Sequence, residues 1–396
     1  MKLDIFEYVY NKGLPGEWRV EECRLSKTNL LVGKNASGKS RILRAIHTLS
    51  ELLSESGSLA PRPKSYEWRL LFDIDRPEEK TEYILKIEKG LVIQEKLIIY
   101  SESDKPLLDR HESGEGTIFA KKIKQNIDFQ TDKTELAVVK RRDSIQHPFL
   151  ENLYQWSSSL RFYEFGAQLG KNTMAHIRFT MELLKNQTDF KDSNFVVGIF
   201  VIGKQEIGEP FIQAILSDMR EIGYKLSEIG TKVPSLINPD ISVDSPDNLP
   251  QFLYIQEEDL TFVTEQSEIS QGMFRALSLF IQINYSLLAS KPSCIVIDDI
   301  GEGLDYQRSS SIIKILIEKA ERGLVQLIMT TNDEFIMNGV PIEYWSLIER
   351  TPGSAKLHNI YNSREKIEEF KFIGLNNFDL FTSEFLLQKE GDEEAA

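Results

Sequence analysis

Residues 33–40, Gly33-Lys34-Asn35-Ala36-Ser37-Gly38-Lys39-Ser40, carry the spacing G-x-x-x-x-G-K-S. Gly33 and Gly38 allow the backbone to turn tightly and approach a phosphate closely. Successive N–H groups and the start of a following helix then point at the anion. The pattern predicts that Lys39 reaches the β- and γ-phosphates of a nucleoside triphosphate and that Ser40 offers its hydroxyl to Mg²⁺. Asn35, Ala36, Ser37 and the adjoining Arg41 complete the expected nucleotide-binding segment. A chance glycine-rich turn is the competing reading. A second stretch supplies acid: Cys294-Ile295-Val296-Ile297-Asp298-Asp299. Its four apolar residues predict a fully buried parallel strand. Asp298 then stands at the strand's C-terminal end, where a P-loop protein keeps a metal carboxylate, and Asp299 is placed to polarise an attacking water. The competing reading is a plain strand-to-loop turn, a place aspartate favours.

The elements around these residues fit that chemistry. The runs Leu3 to Val9, Trp18 to Val20 and Leu30 to Val32 read as strands, and Ser37 to Glu55 as a helix with Ile42, Leu43, Ile46, Leu49 and Leu53 on one face. The phosphate loop thus follows a strand and opens a helix, the context that confirms it. Strand character returns in residues 66–100, with turns at Gly90 and Asp75-Arg76-Pro77, and residues 101–135 read as loops with short strands. Phe162 to Phe165 reads as a strand; Met174 to Gln187 and Pro210 to Ile229 have helical spacing. Phe195 to Ile202 is either a strand or a buried helix. Val233 to Pro250 holds Pro234, Pro239, Pro246 and Pro250 and reads as a loop. A strand at Phe252 to Val263 is followed by helix Gly272 to Ala289, strand Cys294 to Ile297, helix Arg308 to Arg322 and strand Val325 to Met329. That alternation predicts a parallel α/β core.

Composition narrows the function classes. The 396 residues include 47 Lys+Arg and 61 Asp+Glu, a net charge of −14. The acidic balance weighs against purely electrostatic nucleic-acid binding. Basic residues do cluster at Lys121-Lys122-Lys124 and Lys140-Arg141-Arg142, either a solvated face or a DNA-tracking patch. The aromatic run Tyr154, Trp156, Phe162, Tyr163 and Phe165 reads as core rather than a base-stacking platform. Two cysteines exclude a disulfide framework or zinc-finger array, and the five histidines show no metal-ligand spacing. The start Met1-Lys2-Leu3-Asp4 is not a signal peptide, and no apolar stretch nears the ~20 residues of a membrane span. The expectation is a cytoplasmic protein with no membrane partner.

Further stretches define the P-loop class. Ile269-Ser270-Gln271-Gly272-Met273-Phe274-Arg275 precedes an apolar helix, Gly303-Leu304-Asp305 follows the acidic strand, and Thr330-Thr331-Asn332-Asp333 ends the next one. Here the chain resembles the ABC-type ATPases, in particular the SMC-like, RecF-like and OLD-like branch of DNA repair and phage defence. Ser270, Gln271 and Gly272 match the signature motif, Asp305 the D-loop, and Asn332 the position of the switch histidine. The signature lies about 28 residues before Asp298; taken alone, Ser270 reads as a helix cap. The resemblance implies that this motif closes over a nucleotide held by a second chain, so that ATP joins two subunits. It also implies a γ-phosphate-sensing, metal-linked glutamine. Gln168 is the candidate, with a plain surface glutamine as the alternative.

Two departures from that branch are visible. Asp299 stands where a glutamate is usual, and Asn332 cannot carry a proton usefully; both predict a slow ATPase. The resemblance implies an α/β fold: a P-loop NTPase with an ABC-type head and a compact helical insertion. The head would have a mixed β N-terminal lobe and a parallel α/β core. The expected divisions are an N-terminal ATPase lobe at 1–168, the insertion at 169–250, a C-terminal ATPase lobe at 251–362 and a tail at 363–396 ending in the acidic stretch 390–396. The insertion holds no sustained heptads for an SMC arm, and residues beyond Tyr361 leave little room for an OLD-type nuclease. The expected function is therefore a self-assembling ATPase of bacterial anti-phage defence that controls a separately encoded nuclease or toxin. A RecF-like DNA-binding repair ATPase and a non-hydrolysing ATP-dependent scaffold are the alternatives.

Overall fold

A computed structural model describes residues 1–55, 57, 59, 64–72, 80–100, 105–185, 192–235, 249–290, 292–323 and 325–387. The Asp75-Arg76-Pro77 turn, most of the 233–250 loop and the 390–396 tail lie outside the described residues. The chain divides into two compact units. One takes in residues 1–160, 325–332 and 340–387; the other takes in 161–323 and 333–339.

The first unit begins with β1 (Leu3–Tyr10), β2 (Trp18–Arg24) and β3 (Thr28–Val32). All five β3 residues are buried, as a central parallel strand covered on both faces requires. Helix α1 (Lys39–Leu53) buries Ile42, Leu43, Ile46, Leu49 and Leu53 on one face. Trp68 Nε1 donates to the Ala45 carbonyl of that helix at 3.1 Å. An antiparallel meander follows: β4 (Ser65–Phe72), β5 (Lys80–Glu88), β6 (Leu91–Tyr100), β7 (Pro106–Arg110), β8 (Glu115–Ala120) and β9 (Gln125–Gln130). The polar 101–135 region thus contributes three full strands. Helices α2 (Ala137–Lys140) and α3 (Phe149–Ser159) close the run. A buried ion pair helps to seal it. Arg110 lies 3.5 Å from Glu95, both side chains having no exposure. Arg110 donates to the carbonyls of Asp132 and Glu135 at 2.7 and 2.8 Å, and Glu95 accepts the Ala137 and Val138 N–H groups at 2.6 and 3.0 Å. Burial nonetheless holds the Glu95 carboxyl above its usual range.

The second unit starts at β10 (Arg161–Glu164), then β11 (Ala175–His176), α4 (Ile177–Lys185), α5 (Val196–Glu206), α6 (Glu209–Glu221) and β12 (Leu226–Lys232). Next come β13 (Pro250–Glu257), β14 (Thr264–Glu265), α7 (Gln271–Tyr285) with a π turn at Ser286–Ser290, β15 (Cys294–Asp298) and α8 (Tyr306–Gly323). The apolar 195–202 run is the cap and first turns of helix α5, buried except for the half-buried Phe195 and Val201. The helical reading of Pro210 to Ile229 holds to Glu221; β12 then pairs antiparallel with β13, which also pairs with β11 and β14. Asp218, Asn284 and Lys319 tie α6, α7 and α8 together: Asn284 Nδ2 and Lys319 Nζ donate to the carboxylate at 2.6 and 3.0 Å.

The chain returns to the first unit with β16 (Gln326–Thr330), visits the second at α9 (Glu334–Gly339), and ends in the first with β17 (Trp345–Thr351), β18 (Ser354–Asn359), α10 (Arg364–Ile373) and α11 (Asn377–Thr382). Strand order in the first unit is β16-β3-β17-β18-β2-β1-β4-β5-β6-β7-β8-β9. The strand carrying the phosphate loop is flanked by parallel β16 and β17, with Leu30 opposite both Met329 and Trp345. In the second unit β10 and β15 pair in parallel, with Glu164 opposite Asp298.

Candidate nucleotide site

The sequence candidates fall into two clusters, one in each unit. In the first unit, β3 delivers Gly33 and α1 starts at Lys39. Between them Ala36 and Gly38 take left-handed φ values of 62° and 111°. This curls the loop into a concavity of N–H groups. A Cβ on Gly38 would lie 3.0 Å from the Trp18 ring on left-handed backbone, so that position needs glycine; one on Gly33 would lie 2.6 Å from Ser37 Oγ and displace that hydroxyl. Helix α1 takes no side-chain cap at Gly38 and has no acid in its first turn. Its N-terminal N–H groups are therefore uncapped by any side chain, a helix start that can receive an anion. Ser37 Oγ is buried with no hydrogen-bond partner among the described residues. Lys39 is 5% exposed and folds under its own loop, donating from Nζ to the Gly33 and Lys34 carbonyls at 2.6 and 3.3 Å. A phosphate group fits this cradle: it supplies an acceptor for the orphaned Ser37 hydroxyl and for the N–H groups of the loop.

The loop's rim is also held. Arg41 stacks its guanidinium over Trp18 at 4.1 Å and Tyr10 at 4.9 Å, and partial burial lowers its pKa. Arg350 donates to the Ala36 carbonyl, and Lys34 pairs with Glu384. Asn35 is exposed, Ser40 is half-buried in the first turn of α1, and Asn332 is exposed just beyond the buried pair Thr330-Thr331.

In the second unit, Asp298 ends β15 at 4% exposure, and its carbonyl accepts the Phe165 N–H at 2.9 Å. Asp299 takes φ 52°, a left-handed conformation that aspartate tolerates better than most residues. The backbone turns there, with Glu302 N–H donating to the Asp299 carbonyl at 3.3 Å. Asp305 caps α8 by accepting the Arg308 N–H at 3.1 Å and also pairs with the Arg308 side chain; those contacts hold its carboxyl below the usual range. Ser270 is exposed and caps α7 through a long 3.4 Å bond from the Met273 N–H. The Gln271 side-chain nitrogen is buried with no partner among the described residues. Gly272 packs against the loop bearing Asp305: a Cβ there would meet the Gly303 carbonyl at 2.8 Å. Gln168 is exposed on the turn after β10.

Sequence reasoning passed over Trp18, Arg350 and Glu384, which touch the phosphate loop or its rim, and gave Arg275 no role. The partners of Arg350 and Glu384 lie hundreds of residues away, so no local pattern marks them. Among the described residues no group of three or more His, Cys, Asp or Glu forms a metal cage. A magnesium ion bound with a nucleotide needs none, since phosphate oxygens and waters complete its shell.

A strand–loop–helix phosphate cradle beside parallel strands defines a P-loop NTPase fold of the α/β class. The chain belongs to the family described as "AAA domain, putative AbiEii toxin, Type IV TA system", which matches residues 28–338. A solved Smc head bound to the C-winged helix domain of ScpA shares the fold, with a TM-score of 0.52 at 13% identity over 90% of this chain and 97% of that one. An Smc head with an extended coiled coil, bound to the C-terminal domain of ScpA derived from Pyrococcus furiosus, is similar at TM-score 0.48 and 12% identity, over 93% of this chain and 99% of that one. An SMC head domain from Thermotoga maritima is similar at 0.45 and 12%, over 91% and 99%. No curated protein matches the sequence. Among the described residues no helix is long and apolar enough to cross a membrane.

Proposed function

We propose that this chain hydrolyses ATP, self-associates around it, and thereby controls a separately encoded nuclease or toxin in bacterial anti-phage defence. The observation that carries the reading is the phosphate cradle, with its buried lysine, orphaned serine hydroxyl and uncapped helix start. Lys39 and the loop N–H groups hold the β- and γ-phosphates, with Asn35, Ala36 and Arg41 lining the nucleotide. Ser40 and Asp298 are the proposed magnesium ligands, with Gln168 linked to them. The metal, when bound, neutralises charge on the phosphates. Asp299 orients a water toward the γ-phosphorus, and the bond to the ADP oxygen breaks as the new P–O bond forms. Asn332 hydrogen-bonds the phosphate but moves no proton. Ser270, Gln271 and Gly272 receive the nucleotide of a second copy, and Asp305 lies beside that contact. The exposure and long cap bond of Ser270 support this role. The family's description supports the link to a toxin system, and a cytoplasmic location accords with it.

The reading is tested with nucleotide titration, phosphate release and light scattering. Lys39→Ala loses nucleotide binding; normal affinity in that variant contradicts the site. Asp299→Asn binds ATP and accumulates as a dimer; monomers throughout, at saturating ATP, end the self-association part. Unchanged biological function in Asp299→Asn instead favours the non-hydrolysing scaffold. The repair reading rests on Lys121, Lys122 and Lys124, exposed on the turn between β8 and β9. The other basic cluster is engaged within the chain: Lys140 pairs with Glu135 at 3.2 Å, and Arg142 pairs with Glu151 at 3.5 Å and stacks on Tyr154. Salt-sensitive DNA binding that raises ATP turnover is the result that favours repair.

A further inference from the structure

Arg275 sits one turn into α7, five residues past Ser270. Its guanidinium is used on three carbonyls from two separate turns. Nε donates to Ala167 at 3.0 Å, one Nη to Gly166, and the other Nη to Glu302 at 3.0 Å. Gly166 and Ala167 lead directly into Gln168, on the turn that leaves β10. Glu302 belongs to the turn between Asp299 and Asp305. Glycines line this junction: a Cβ on Gly303 would lie 3.0 Å from the Arg275 guanidinium, and one on Gly166 would lie 2.2 Å from the Glu302 carboxylate. Gly272 in turn lies against the Gly303 carbonyl. The helix of the Ser270 turn, the Gln168 turn and the Asp299 turn are thus bound to one planar cation.

We propose that Arg275 is a positioning residue that couples occupancy of the Ser270-Gly272 turn to the placement of Asp299 and Gln168 within the same chain. The inference rests on the ATPase reading above. All three guanidinium nitrogens donate to backbone carbonyls, so the side chain acts through the turns it holds. A ligand drawn to Ser270 moves the start of α7, and Arg275 carries that movement to the two turns because its nitrogens are shared between them. A lysine has a single nitrogen and cannot span the same three acceptors. Misplacing a catalytic carboxylate by about 1 Å costs up to about a hundredfold in rate.

The test compares wild type, Arg275→Ala and Arg275→Lys in ATP titration, steady-state hydrolysis and thermal melting. Arg275→Ala is expected to bind ATP within about threefold of wild type while kcat falls on the order of tenfold or more. Arg275→Lys is expected to melt with wild type yet keep a depressed kcat, which a purely structural role would not produce. ATP-driven dimers form in both variants, since Ser270 is untouched. An Arg275→Ala variant with wild-type kcat overturns the proposal. So does an Arg275→Lys variant that regains both stability and full kcat. A wild-type chain that neither binds nor hydrolyses ATP refutes the underlying ATPase reading, a result separate from either.

Discussion

Asp299 is the residue where backbone and chemistry meet. Its φ of 52° lies in the left-handed region, which aspartate and asparagine enter more readily than most residues. Asp299→Asn should therefore keep the turn, shift stability by no more than about 0.5 kcal/mol, and lower hydrolysis on the order of a hundredfold. Asp299→Glu should lose about 1 kcal/mol of stability. Denaturant unfolding beside phosphate release checks both; an Asp299→Asn chain that unfolds would make the carboxylate structural. The loop glycines separate two effects in the same way. Gly38→Ala forces a Cβ into left-handed backbone and against Trp18, so stability falls by about 1–3 kcal/mol and nucleotide binding is lost. Gly33→Ala instead collides with the rotatable Ser37 hydroxyl. It should weaken nucleotide binding with a smaller loss of stability, and equal losses in the two variants would contradict the cradle geometry.

At the level of elements, α7 separates a cap from a ligand site. If Ser270 is only a helix cap, Ser270→Ala costs roughly 0.5–1 kcal/mol and nothing else. The 3.4 Å bond to Met273 places it at the low end. The proposed role adds loss of ATP-dependent dimers while nucleotide binding by the same chain persists, which light scattering and titration read separately. The start of α7 was legible in the sequence because serine, a glycine and an apolar helical run are neighbours along the chain. The same holds for β3, the phosphate loop and α1, and for β15 with Asp298. What stayed hidden is non-local. Residues 195–202 are apolar at every position, so periodicity could not separate strand from helix; as α5 they are buried between other helices. The pair Glu95 and Arg110 looks like two surface charges until β6 and β7 bring them together with the α2 N–H groups. Arg275 stood in a quoted motif, yet its partners at 166, 167 and 302 are set by tertiary packing alone.

The whole molecule carries a net charge of −14, and the proposed association of two copies around ATP would bring those charges together. Their long-range repulsion opposes association. It is screened over about 10 Å at 0.1 M salt and about 3 Å at 1 M. In the proposed dimer, contacts between a bound triphosphate and the Ser270-Gly272 turn would be enclosed in the interface, and salt would weaken them less. ATP-driven self-association should therefore strengthen, or hold level, as salt rises from about 0.05 to about 0.3 M. DNA binding through Lys121, Lys122 and Lys124 would behave oppositely, because each neutralised phosphate releases counterions and the affinity falls steeply over the same range. Sedimentation or light scattering across a salt series with ATP, run beside a DNA-binding series, separates the two. Dimers that dissolve with the slope of a polycation–phosphate contact would show that association runs through charge on the surface rather than through an enclosed nucleotide. They would move the assembly away from the Ser270 face.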